Sequence, residues 1–254
     1  MTTEKRMRWL AWEGCRNARD LGGYPTANGK MTHWGAIVRS DELSALTTAG
    51  RASVVAYGIR TIIDVRMLVE LERAPNPFAS PGNDGIAYTN LSFTDLNEPR
   101  PVFFVTLSDD YTFADEYLHR LDRFASRVAT IMAAISQASK GGVLVHCAGG
   151  QDRTGLVCAL LLDLVGVNPE MIAADYALSA EIRWPEDVDW LEHGPRSRDE
   201  RERELERWAP RAHVMMKVLA RLAARYGGAE GYLLHTGMTG EEVEHVRARL
   251  MTHG

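Results

Sequence analysis

Residues 146–155 read HCAGGQDRTG, and the stretches on either side decide the fold around them. Upstream, Gly141 and Gly142 precede the apolar run Val143, Leu144, Val145, short and β-branched enough for a buried strand. Downstream, residues 156–165 are apolar on nearly every face, the pattern of a helix buried all round. A strand, a glycine-bearing loop and a helix N-terminus in that order make a cradle for a phosphate. The backbone N–H groups of Ala148, Gly149, Gly150 and Gln151 are expected to point inward, and the positive end of the helix dipole favours an anion there. Arg153 adds a planar fork suited to two phosphate oxygens. The same field favours a thiolate nucleophile at Cys147, to which Thr154 can donate its hydroxyl. His146 is expected to bond the backbone and hold the loop.

Five residues separate Cys147 from Arg153. A Walker-type nucleotide loop is excluded, because its Gly-Lys-Ser/Thr end is missing. The Cys-x5-Arg-Thr loop resembles that of the protein tyrosine phosphatase superfamily, whereas the anion loop of sulfurtransferases has one residue fewer. NARDLGG at 17–23 resembles the N-terminal signature of the bacterial tyrosine phosphatases with atypical, broad specificity. Further matches are Arg39-Ser40, IIDVRMLVE at 62–70 with Asp64, Arg66 and Glu70, DYALS at 175–179, and the tail GMTGEEVEHVRARL.

The resemblance implies an α/β fold of the protein tyrosine phosphatase type, with a central, mostly parallel sheet flanked by helices. It implies hydrolysis of phosphomonoesters through a phosphocysteine, with Cys147 as nucleophile, Arg153 on the equatorial oxygens and Asp152 protonating the leaving group. Asp95, on the chain before the nucleophile, is the competing acid. Asn17, Arg19 and Asp20 resemble residues that brace the loop. Asp64 and Arg66, at a strand end, are expected to orient it. Trp184-Pro185-Glu186-Asp187 looks like the acid loop of conventional tyrosine phosphatases but follows the nucleophile instead of preceding it, so it reads as a helix start with acidic first-turn residues. The family commonly has Lys where this chain has Gln151, which removes a cation from the expected rim of the site. The rival reading is a catalytically weak or dead phosphate-binding module.

Composition sets the remaining expectations. The chain has 254 residues, 45% of them hydrophobic, and no low-complexity linker divides it, so one domain over 1–254 is expected. A net charge of −5 gives no general attraction to nucleic acid, so phosphate affinity must be local. Phosphorylated proteins, small phosphomonoesters and phosphoinositides are the candidate partners; neither cofactor nor metal is implied, and the oligomeric state stays open. Three cysteines, at 15, 147 and 158, do not make a disulfide scaffold, and with no signal-like start or membrane span the expected location is cytoplasmic. Counted along a helix, Cys158 lies about 16 Å from Cys147 and is a poor resolving partner.

Alternating elements are expected. These are a hairpin over 24–40 turning at Asn28-Gly29, and a helix capped by Thr47 or Thr48 and ended by Gly58. A strand follows over 59–65, one more is expected over 86–93 amid the loops of 75–110, and one amphipathic helix over 117–136. A helix begins at Asn168-Pro169 and reaches Ala177; others cover 213–226 and 239–250, the last opened by a Thr239/Glu242 capping box. The charged stretch over 181–210 reads first as a solvated helix and second as a helical lid.

Overall fold

The computed structural model describes residues 7–80, 85–94, 112–208 and 210–251, leaving aside the side chains of 181–189, 204, 207 and 208. Among these residues the strands β1 (Arg19–Asp20), β2 (Ile37–Ser40), β3 (Ile59–Asp64), β4 (Ala87–Asn90) and β5 (Gly142–His146) form one sheet in the order β1-β2-β5-β3-β4. β5 runs parallel to both β2 and β3, and β3 parallel to β4; β1 alone is antiparallel, on β2. This is the α/β architecture with a mostly parallel sheet that the resemblance implied.

The apolar runs produce it because the inner strands are covered on both faces. Val143 and Val145 join Ile37 and Ile63 in one core, while Leu144 joins Val38 and Ile62 in the other. Helix α5 (Asp152–Leu164) fills the first core with Leu156, Val157, Leu160 and Leu161, each no more than 1% exposed. Removing each such side chain from water contributes about 1.5–3 kcal/mol. The opposite face is covered by Leu10, Trp12, Leu43 and Leu46 together with Val54 of α1 (Thr48–Ala56), whose Thr47 cap accepts a bond from the Gly50 amide. Register brings Ser40, His146, Asp64 and Asn90 level at the carboxyl edge of the sheet, where ligands of such folds bind.

Four sequence expectations change. The hairpin turns at Asn28-Gly29 as expected, with Gly29 at φ 74 and backbone bonds from Thr26 N to Lys30 O, Thr32 N to Tyr24 O and Gly23 N to Thr32 O, but it closes by residue 32 and does not extend to Ser40. β2 pairs instead with β1, because its other edge is taken by β5. The single helix expected over 117–136 is two, α3 (Phe113–Arg123) and α4 (Ala125–Gln137), broken at buried Phe124. The halves serve different neighbours: α3 packs on α8 (Ala212–Tyr226), and α4 on α10 (Gly240–Met251). Helix α6 (Pro169–His193) starts at the Asn168 cap as expected but runs far beyond Ala177. The sequence at 184–187 is therefore mid-helix and starts nothing; the backbone bond lost at Pro185 is tolerated within 25 residues of helix.

α2 (Leu68–Arg73) follows β3, and α7 (Arg198–Trp208) carries the charged run, tied to the end of α6 by Arg201 donating to the carbonyls of Gly194 and Glu192. α9 (Ala229–His235) had no local signal, since its first amide is capped from another helix, by Asp163 Oδ2 at 2.7 Å. α10 begins at the Thr239/Glu242 box, and its Arg249 donates to the carbonyls of Ala138, Ser139 and Gly141, just before β5. No helix among the described residues is long and apolar enough to cross a membrane.

Candidate active site

The loop between β5 and α5 is held from behind by its carbonyls. Ala148 O accepts from the Glu42 amide at 2.9 Å, Gly149 O from Asn17 Nδ2 at 2.8 Å, and Gly150 O from Arg39 Nη2 at 2.6 Å. With three successive carbonyls turned back into the protein, the amides of 148–150 have no partner among the described residues. Gly150 is required for this turn. Its φ is 64, and a Cβ there would lie 2.5 Å from Ser40 O, whereas a Cβ on Gly149 would meet nothing within 4 Å. Cys147 lies at the base of the loop, 2% exposed. Thr154 Oγ1 is buried without a partner among the described residues.

Arg153 opens onto this cradle with its guanidinium gripped end-on by Glu70: Nη1 to Oε2 at 2.5 Å and Nη2 to Oε1 at 2.7 Å. Glu70 is held in turn by the amide of Met67, on Oε2 at 2.8 Å. Burial opposes charge on both partners, yet the fork prevails, so the Arg153 proton is held more firmly and the Glu70 carboxyl falls below its ordinary range. Guanidinium has five N–H donors, so about three remain for an anion.

Beneath the loop lies a second layer of charge. Asp175, on α6, takes Arg19 Nε at 2.8 Å and Arg39 Nη1 at 2.6 Å, and all three side chains are buried. Burial alone would raise the Asp175 carboxyl, but the two guanidinium groups bring it down to about 2. Two cations on one carboxylate leave a surplus of positive charge, and Arg39 is close enough to interact with Cys147. On the other flank, Asp64 Oδ2 lies 3.3 Å from His146 Nε2 and 2.8 Å from Arg66 Nη2. Arg66 Nη1 reaches Glu42 Oε2 at 3.0 Å, and His146 Nδ1 lies 3.2 Å from the carbonyl of Cys147. Burial works against the Asp64 charge, but His146 and Arg66 together hold the carboxyl well below the usual range. His146 thus touches the loop and Arg66 the Glu42 segment bonded to it, while Asp64 ties the two together.

Three sequence readings need correction. Asp20 does not join the loop's support: its carboxylate accepts from the amides of Gly22 and Gly35, each at 2.7 Å, and from the Tyr57 hydroxyl. Neighbours in a strand point to opposite sides, so Arg19 faces Asp175 while Asp20 faces away. Gln151 is not at a rim, being 2% exposed, and its Nε2 donates to Asp152 Oδ1 at 3.2 Å. The helical count to Cys158 holds only from Asp152, where α5 begins, so the path from Cys147 is not helical throughout. The Cys158 thiol is pushed up to about 11, chiefly by burial. Cys15 donates to Asp41 Oδ1 at 2.8 Å, and burial followed by that carboxylate drives its thiol far above the ordinary value. Asp95 lies outside the described residues.

The residues that local pattern did not single out are Glu70, Glu42, Asp175, Tyr117 and Tyr176. Glu70, Asp175 and Tyr176 stood inside stretches matched to the family; Tyr117 stood only at the start of an expected helix.

Sheet, loop and gripped arginine together define an α/β scaffold that presents an anion cradle with a cysteine at its base. A family model described as the tyrosine phosphatase family matches residues 10–252. The chain belongs to that family and is a phosphoric monoester hydrolase. A tyrosine-protein phosphatase of Nostoc commune is 32% identical over 220 residues, which cover 85% of this chain and 74% of the relative. The triple specificity protein phosphatase PtpB of Mycobacterium tuberculosis is 33% identical over 199 residues, covering 65% of this chain and 67% of the relative.

Proposed function

We propose that the chain hydrolyses phosphomonoesters through a phosphocysteine intermediate, with phosphotyrosine in proteins as the first substrate class. The observation that carries this reading is the loop itself: carbonyls bonded behind, Cys147 at its base, and Arg153 pre-aimed by Glu70. In the first step the Cys147 sulfur attacks phosphorus in line, the bond to the leaving oxygen breaks, and Asp152 gives that oxygen its proton. Arg153 and the loop amides stabilise the charge on the equatorial oxygens. In the second step water attacks the phosphocysteine, Asp152 takes back a proton, and inorganic phosphate leaves.

Substrate class follows from the relatives' names, a tyrosine-protein phosphatase and a triple specificity protein phosphatase. With Gln151 turned inward, position 151 supplies no cation for a second phosphate, which favours singly phosphorylated substrates over polyphosphorylated inositol lipids. All three cysteines are free, which suits a reducing compartment such as the cytoplasm.

Cys147→Ser tests the mechanism. The variant should fold, bind phosphate through Arg153 and lose essentially all turnover, while rapid-quench mass spectrometry of the wild type should trap a phosphate on Cys147. Substantial turnover by the serine variant would overturn the reading. Binding of phosphorylated ligands by an inert wild type would favour a phosphate-binding module.

A further inference from the structure

Asp152 is held in a ring of hydroxyl and amide groups that the reaction scheme does not use. Its Oδ1 accepts from the Tyr117 hydroxyl of α3 and from Gln151 Nε2, the latter at 3.2 Å. Tyr117 Oη lies 2.7 Å from Tyr176 Oη of α6, and the Gln151 side chain also bonds Tyr176. A phenol has one proton to give. Since Tyr117 gives its proton to Asp152, Tyr176 must be the donor between the two tyrosines. The ring is therefore directional: the Tyr176–Tyr117 relay and a Gln151 N–H both end on Oδ1 of Asp152. Both tyrosines are buried, and burial, followed by the nearby Asp152 charge, keeps each phenol protonated well beyond its ordinary range. They stay donors at any working pH.

Packing supports this pose. Tyr117 is wedged between Phe113, with ring centroids 4.6 Å apart, and the edge of Tyr176 at 6.0 Å, in an interior where side chains sit in single rotamers. α5 and α6 approach so closely that a Cβ on Gly155 would come within 3.0 Å of the Tyr176 ring. Oδ2 of Asp152 has no partner among the described residues.

We propose that Tyr117, backed by Tyr176, is a positioning residue for the general acid: it captures Oδ1 of Asp152, so that Oδ2 carries the proton to the leaving oxygen. The ring also accounts for Gln151. An amide at 151 can donate to Asp152 and Tyr176 together while buried, which a charged lysine could do only with its ammonium out of water. The proposal rests on the reading of Asp152 as general acid.

The test is leaving-group dependence. Tyr117→Phe, Tyr176→Phe and Asp152→Asn are compared with the wild type on p-nitrophenyl phosphate, whose leaving group needs little protonation, and on phenyl phosphate, whose leaving group needs more. Tyr117→Phe keeps the ring and removes one oxygen. It should lower kcat on phenyl phosphate by roughly tenfold, a fraction of what a whole general acid supplies, with KM unchanged and p-nitrophenyl phosphate little affected. Tyr176→Phe should act in the same direction more weakly, and it carries the test if the first variant does not fold. Leaving-group dependence in Asp152→Asn with equal losses on both substrates in the tyrosine variants would overturn the positioning role alone. No such dependence in Asp152→Asn would overturn the acid assignment and this proposal with it.

Discussion

Glu70 and Arg153 meet end-on across 83 residues of chain, each carboxylate oxygen on its own terminal nitrogen. The fork leaves the side of the guanidinium that carries Nε–H facing away from Glu70, so the arginine is oriented before any phosphate arrives. Glu70→Gln would set an amide NH2 against one of the arginine donors and break half the fork. We expect kcat/KM to fall by roughly 10- to 100-fold, with weaker inhibition by inorganic phosphate and little change in thermal midpoint. Unchanged phosphate inhibition would show that Glu70 does not orient Arg153.

The two loop glycines should behave differently. Gly150→Ala forces a Cβ to within 2.5 Å of Ser40 O at a φ of 64. Such strain costs about 1–3 kcal/mol, and the carbonyl bond to Arg39 would be disturbed as well. Gly149→Ala meets nothing within 4 Å. Thermal denaturation should show a clear drop for the first variant and almost none for the second. Equal midpoints would mean the loop relaxes without cost.

Acid should loosen the layer beneath the loop. In the unfolded chain the Asp175 carboxyl has a pKa of about 3.9, and the folded protein lowers it to about 2. A depressed folded pKa contributes stability that is fully present above the unfolded value and is lost as pH falls toward the folded one. The stability gap between wild type and Asp175→Asn should therefore be constant above about pH 5 and narrow from there to about pH 2. Chemical denaturation across that range measures it, and a gap independent of pH would contradict the role assigned to the buried charge.

Thiol chemistry should be selective. Cys15 is held protonated by burial and Asp41, and Cys158 by burial, with its pKa near 11. Brief treatment with iodoacetamide at neutral pH should place one adduct on Cys147, and inorganic phosphate should slow it. Peptide mapping that finds Cys158 modified at a similar rate would show that burial does not protect it.

The centre of the site was legible because its signals are local. A strand, a glycine turn and a helix follow one another within 142–164, and the short β-branched run and the long all-round apolar run specify the two elements. Asp175 and Glu70 lie in matched stretches, but what they touch depends on sheet order, which no local period encodes. Asp20 was misplaced for a related reason: adjacent strand residues face opposite ways, and only the pairing of β1 with β2 says which way each one looks. Gln151 was read at a rim from the lysine that the resembled family commonly carries at that position. Its amide is instead buried against Asp152 and Tyr176, both of which it can satisfy. The break at Phe124 was invisible because no glycine or proline marks it; tertiary partners on either side decide it.

Arg249 clasps the turn that leads into β5, and Asn17 holds the loop that leaves it, so the nucleophile is flanked by supports from distant parts of the sequence. During synthesis, residues 17 and 147 can meet long before residue 249 has emerged from the ribosome. The cradle is then assembled in two stages, an early one that shapes the loop and a late one that anchors its strand. A nascent chain whose α10 has not yet left the ribosome would carry every group of the reaction with one anchor missing, and gains that anchor only once α10 has emerged and packed.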